Sequence, residues 1–219
     1  DQRGHGDSPS PADAYDIAAY VEDACALVRA LELDRPHLVG HSMGARVAMV
    51  AAARHRDLFR SVAIVDIGPE AWRQNWRDTV ASIDRMPASF TRDEAITFFT
   101  RNRPTPPERQ SVYIGRLREG GRGRFTWRGS PDAWKATVVL HRGRDFWADW
   151  EHLRLPAVLI RGGDSNELRP RIAAEMRSRN GRVAYHEIAG VGHDSPLLAP
   201  GQLAAVLTAC WASMHSPAT

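Results

Sequence analysis

Cysteine, lysine and long apolar runs are scarce in this sequence, and each scarcity excludes something. There are two cysteines, Cys25 and Cys210, each within a segment of helical periodicity and neither in a C-x-x-C pair. That argues against a disulfide-stapled scaffold and a thiolate metal site, and leaves two buried free thiols as the expectation. Lysine occurs once, at Lys135, so the basic residues are almost all arginine. We read this as a base-composition bias of the coding sequence. Net charge is only +3 despite a pI near 9.2, which is not the strongly basic balance of a nucleic-acid binder. No uninterrupted apolar run reaches spanning length, so no transmembrane helix is expected. No internal repeat is evident. What remains is a 219-residue chain, 43% apolar and 25% charged, which is the balance of one large globular domain or of a domain carrying an insertion.

The most informative stretch is PHLVGHSMGARVAM, residues 36–49. His37-Leu38-Val39 reads as a short buried strand, and Met43 through Ala53 has the alanine, valine and methionine content of a buried helix. Between them stands Gly40-His41-Ser42-Met43-Gly44, a G-x-S-x-G pattern. A sharp strand-to-helix turn explains the glycines, which leave room where side chains would collide. Such a turn holds Ser42 in a tense conformation with its hydroxyl outward at a helix N-terminus.

Around this turn the chain alternates strands and helices. Residues 15–33 carry apolar positions at i, i+3, i+4 and i+7 spacing, a helix with one buried face. SVAIVD (61–66), AVLIR (157–161) and RVAYHEI (182–188) read as further strands, with helices at 170–179 and about 201–214. Near-continuous apolar strands separated by helices predict an α/β architecture with a mostly parallel sheet wrapped by helices. Residues 70–152 break the rhythm and hold six of the seven tryptophans and five of the six phenylalanines. We read them as a helical cap inserted between core segments 1–69 and 153–219. Most of those rings serve a satellite core; Trp72 and Trp147 are candidates, with His41, for the wall of an apolar pocket. Within the cap, RLREGGRGRFTWRG (116–129) mixes arginine, glycine and aromatics in the manner of some nucleic-acid binders. The near-neutral overall charge favours a solvated hairpin instead, and no nucleic-acid partner is expected.

A serine hydroxyl is a poor nucleophile until a base takes its proton and an acid orients that base. Among nine histidines, His193 stands in the glycine loop IAGVGHDSP, at the carboxyl end of the last strand, where chemistry gathers in such sheets. Two carboxylates end strands within reach of it, Asp66 and Asp164, with Glu70 and Asp194 as weaker options. Asp66 could instead cap a turn, and Asp164 could instead form an Asx-turn.

These motifs resemble those of the alpha/beta-hydrolase superfamily, and more narrowly its cap-bearing serine esterases. DQRGHGDSP is similar to that family's D-x-R-G-H-G-x-S loop, VGHSMGA to its nucleophile elbow and GVGHD to its histidine loop. VDIGPE resembles the strand end of a subgroup that carries its acid there. Many relatives have G-x-x-D after a later strand; counted from Gly162 that position is Ser165, and GGDSN looks more like the G-G-x-S of the early-acid subgroup. The resemblance therefore favours Asp66. It implies acyl transfer: Ser42 as nucleophile, His193 as base, Asp66 as orienting acid and the Met43 N–H as an oxyanion donor. The expected substrate is a small or medium apolar ester, thioester or lactone, with no cofactor or metal, no membrane partner and a cytoplasmic location. Carbon–carbon bond hydrolysis or perhydrolysis on the same triad is the nearest alternative, and a non-catalytic, partner-dependent binding protein is the next. In the family, strands ahead of the first motif complete the sheet and supply a second oxyanion donor, whereas this sequence opens at Asp1. The expectation is thus a serine strand left as an unpaired apolar edge, open to another chain or to the absent N-terminal segment. It follows that this chain alone should be unstable or weakly active.

Overall fold

The computed structural model describes residues 1–70, 76–101 and 107–215. In chain order its strands are β1 (His37–His41), β2 (Ser61–Val65), β3 (Ser89–Phe90), β4 (Leu117–Glu119), β5 (Phe125–Trp127), β6 (Ala157–Gly162) and β7 (Ala184–Ile188). Its helices are α1 (Ile17–Ala30), α2 (Met43–Arg54), α3 (Trp76–Asp84), α4 (Arg92–Thr100), α5 (Pro107–Ile114), α6 (Pro131–His141), α7 (Trp147–His152), α8 (Pro170–Arg179), α9 (Ser195–Leu198) and α10 (Pro200–His215). The chain divides into two compact units: Ile17–Ala71 with Gly143–Thr219, and Asp1–Asp16 with Trp72–Arg142.

The first unit is built on a parallel sheet of order β1-β2-β6-β7. A strand with apolar residues on both faces is stable only if both faces are covered, and β2 and β6, buried along their whole length, meet that condition. Val62, Ile64, Ala157 and Leu159 point into one core with Ala48 and Met49 of α2, Trp147 and Trp150 of α7, and Ala173 and Met176 of α8. Their neighbours Ala63, Val65, Val158 and Ile160 point the other way, onto Leu203 and Cys210 of α10. Each fully buried Val, Leu or Ile contributes about 1.5–3 kcal/mol, so these two central strands anchor the unit. Cys25 and Cys210 are buried and unpaired, and burial raises both thiols above their ordinary range. β1 lies at the sheet edge and, among the described residues, pairs with β2 alone. Its Val39 is 43% exposed, and Leu27, Leu31 and Leu33 are exposed nearby in sequence.

The second unit carries a small antiparallel sheet of order β3-β5-β4. Its core is aromatic: Phe90 is buried against Phe98 and Trp127, with Leu117 and Ala95 beside them. Helix α4 starts in a capping box, Thr91 Oγ1 accepting the Glu94 N–H while the Glu94 carboxylate accepts the Thr91 N–H. The arginine-rich segment forms β4, a short turn and β5. Arg118 and Arg128 both pair with Asp7, and Arg124 pairs with Glu94 and bonds Ser89. Those three guanidinium groups are committed to partners within the unit.

The units divide the chain differently from the boundaries read in the sequence. Residues 143–152, assigned above to the cap, belong to the sheet unit. Trp150 is fully buried there, its indole N–H donating to the Met176 carbonyl at 2.7 Å while Asn180 donates to the Trp150 carbonyl at 2.8 Å. Residues 1–16, assigned to the core, cluster instead with Trp72–Arg142. The Gly4 carbonyl accepts both the Ser130 N–H and the Trp134 indole N–H, and the Gly6 N–H donates to the Arg128 carbonyl. No described helix is long and apolar enough to cross a membrane.

Candidate active site

The turn after β1 is as tight as its glycines require. A Cβ on Gly40 would stand 2.2 Å from the Gly44 carbonyl oxygen and 2.6 Å from the Ala45 Cα, so only glycine fits where strand and helix pass. Ser42 sits at φ 56° and ψ −127°, a strained conformation for a residue with a side chain. It is held by its own N–H, which donates to the Val65 carbonyl of β2, and by its carbonyl, which accepts the Ala45 N–H. Met43 opens α2, so its N–H is among the helix-start donors that have no acceptor within the helix.

Asp66 follows β2 directly. Its N–H donates to the Ile160 carbonyl of β6, and its backbone turns into the left-handed region at φ 55°, which Asp tolerates better than most residues. The carboxylate is 0% exposed yet has a full set of donors. Oδ1 accepts the Gly162 N–H at 2.9 Å; Oδ2 accepts the Ser165 hydroxyl and, at 2.8 Å, His193 Nδ1. Burial alone would raise this carboxyl's pKa. The hydrogen bonds from His193, Ser165 and Gly162 outweigh it and hold the group below its ordinary range, ionised.

His193 therefore carries its proton on Nδ1, and Nε2 is left as the acceptor 2.9 Å from Ser42 Oγ. The three side chains come from separate loops at the carboxyl ends of β1, β2 and β7, and all lie in the sheet unit. Asp164 is exposed in the loop after β6 and does not meet the imidazole, which is bonded to Asp66. Glu70 accepts the Trp147 indole N–H on its carboxylate and an Arg46 N–H on its carbonyl. Arg46, 5% exposed and lowered by burial to about 10, also donates to the Gly68 carbonyl and so ties the segment after Asp66 to α2.

Two neighbours have roles that the sequence pattern did not reveal. His41 donates Nε2–H to the His193 carbonyl at 2.8 Å, with the two rings 4.6 Å apart. Burial, and then the proximity of His193, pull its imidazole below its ordinary range, so it stays neutral. His41 thus holds the histidine loop to the elbow, a contact spanning 152 positions that no local signal announces. Ser165 also accepts the N–H groups of Glu167 and Leu168, which leaves its own proton for Asp66. The buried Arg161 fastens that loop by donating to the Ser165 and Leu168 carbonyls. The hint to Ser165 was its place where many relatives carry their acid: a second carboxylate there would face Asp66, whereas a hydroxyl donates to it.

Of the expected pocket walls, Trp72 lies outside the described residues. Trp147 is packed in the apolar core of the sheet unit, with the Arg179 guanidinium 4.2 Å from its ring centroid; the aromatic bias of the segment, not a pocket, had selected it. Among the described residues no group of three or more His, Cys, Asp or Glu side chains is placed to hold a metal. His37 and His41 lie at opposite ends of β1, with His37 Nδ1 bonded to Ser61 Oγ.

Comparison with known proteins agrees with this construction. The sequence profile of the alpha/beta hydrolase fold matches residues 1–200. The chain belongs to the alpha/beta-hydrolase family. Among characterised relatives, 2-(acetamidomethylene)succinate hydrolase of Mesorhizobium japonicum is 46% identical over 69 residues, covering 32% of this chain and 25% of that protein. The sn-1-specific diacylglycerol lipase ABHD11 of Mus musculus is 28% identical over 203 residues, 88% of this chain and 64% of its own. This alpha/beta hydrolase chain thus spans less than two thirds of either relative. A crystal structure of E-2-(acetamidomethylene)succinate hydrolase superposes with a TM-score of 0.86 at 24% identity, over 95% of this chain and 78% of that one; at that identity the likeness establishes the fold.

Proposed function

We propose that Ser42, His193 and Asp66 form a nucleophile–base–acid triad that hydrolyses small or medium apolar esters, thioesters or lactones through an acyl-enzyme. The single observation that carries this is the unbroken hydrogen-bond chain from Ser42 Oγ through His193 to the buried Asp66 carboxylate. Ser42 Oγ attacks the substrate carbonyl as its proton passes to His193 Nε2. The imidazolium that forms is stabilised by the Asp66 carboxylate on Nδ1. The negative charge on the carbonyl oxygen is met by the Met43 N–H, and a donor of this kind is worth about 10²–10³ in rate. Collapse of the tetrahedral adduct expels the alcohol or thiol, which takes the proton back from Nε2. Water, activated by the same nitrogen, then frees the acid and restores Ser42.

The test is covalent labelling of the purified chain by a fluorophosphonate, with the adduct located by mass spectrometry, alongside turnover of p-nitrophenyl acetate. The label is expected on Ser42 and nowhere in the Ser42→Ala variant, whose kcat should fall by about 10⁶. A folded wild-type chain that takes no label at Ser42 would falsify the proposal.

A further inference from the structure

The second unit contains a cavity of about 660 Å³, within the range of small-molecule sites. Five aromatic side chains line it, Phe98, Phe99, Tyr113, Trp127 and Trp134, together with Asp1, His5, Arg116 and Arg128. Phe99 and Tyr113 stack at 5.0 Å and 6°, and Trp127 meets Trp134 edge-on at 5.5 Å and 88°. Both indole N–H groups are already used, Trp127 on the Pro87 carbonyl and Trp134 on the Gly4 carbonyl. These two side chains therefore have only ring surface left to offer a guest.

Charge is distributed unevenly around those rings. Arg128 is committed to Asp7, and the Asp1 carboxylate accepts the Asp7 N–H. Arg116 differs: its guanidinium carbon lies 5.2 Å from the Tyr113 ring centroid, and no carboxylate pairs with it among the described residues. A ring contact of this kind engages the cation without consuming its N–H donors. Of the five arginines at 116–129, Arg118, Arg124 and Arg128 are paired with carboxylates and Arg122 lies in the turn away from the cavity lining, while Arg116 is exposed, lines the cavity and has no carboxylate partner among the described residues.

We propose that this cavity binds a planar apolar acid, its ring system lying among the aromatic side chains and its carboxylate bidentate on Arg116. A guanidinium fork matches a carboxylate in shape as well as charge, and the rings match a flat apolar body. Every residue invoked lies in the second unit, so the proposal stands independently of the triad.

The experiment is calorimetric titration of the full chain with 2-naphthoate and with 2-naphthamide, which keeps the ring and removes the charge. The wild-type chain is expected to bind naphthoate more tightly than the amide. Arg116→Gln, a change at an exposed side chain, should weaken naphthoate by about tenfold and leave the amide unchanged. Ser42→Ala should bind naphthoate as the wild type does. The proposal is overturned by no naphthoate binding at millimolar concentration, by equal binding of acid and amide, or by indifference of naphthoate to Arg116→Gln. Loss of binding in Ser42→Ala overturns it too, since that would assign the ligand to the triad.

Discussion

The sheet unit and the aromatic unit solve the same packing problem with different materials. In the first, aliphatic residues alternate across β2 and β6, so one strand feeds two cores and the backbone between them is fixed. In the second, strands of two or three residues cannot bury much themselves, and T-shaped and stacked rings fill the space, ringed by arginine–carboxylate pairs. The proposed triad sits on the first of these units. Its three loops leave strands whose register is set by continuous parallel pairing, which is what holding reacting atoms near 2.9 Å demands.

If the register of the sheet unit serves chemistry, changes there should strike activity hardest. Asp66→Asn, which leaves the shape but favours the wrong imidazole tautomer, should lower kcat on a p-nitrophenyl ester by about 10⁴. The same variant carries a pH signature. The Asp66 carboxyl titrates lower in the folded chain than its ordinary value of 3.8. Its stabilisation is therefore complete above that pH and is lost as pH falls through the lower native value. Acid denaturation followed by circular dichroism should show this loss in the wild type and a shallower one in Asp66→Asn.

The aromatic unit should respond in stability. Phe90→Ala opens its core and is expected to cost about 3–5 kcal/mol, read from denaturant unfolding of the near-ultraviolet signal. An insensitive signal would mean that the rings are not the core described above. A milder probe returns to the triad. His41→Phe removes the donor to the His193 carbonyl and should lower kcat/KM about tenfold, mostly in kcat, whereas His41→Gln, whose amide reaches the same place, should recover most of it. Equal losses in both variants would reduce His41 to a packing residue. The smallest effect belongs to the surface: Asp7→Asn frees Arg118 and Arg128 and should lower the melting temperature slightly, with the difference vanishing in molar salt.

The sheet and its serine turn were legible because their causes are local. Glycines at 40 and 44, apolar runs of strand length and a helix-forming stretch after them follow from steric and hydrophobic demands within a dozen residues. Asp66 and His193 were legible by position, each just past a strand end. What was not legible depends on partners far away in the chain. Trp150 belongs to the sheet unit because Met176 and Asn180 receive it, yet its composition resembles that of the segment before it. Residues 1–16 cluster with a segment more than a hundred positions on through backbone bonds at Gly4 and Gly6, which carry no side-chain pattern at all. His41 and Ser165 likewise act across 152 and 99 positions, through one hydrogen bond each.

Gly162 looks chemically silent, a strand residue whose amide merely touches Asp66. Yet a methyl group at its Cα would come within 2.3 Å of the Gly192 carbonyl and 2.8 Å of that of Val191, the backbone that delivers His193. The two loops are so closely nested that adding one carbon to the first would shove the imidazole off its carboxylate. A saturation library across this chain should find position 162 as intolerant as the proposed nucleophile, on the strength of this backbone fit alone.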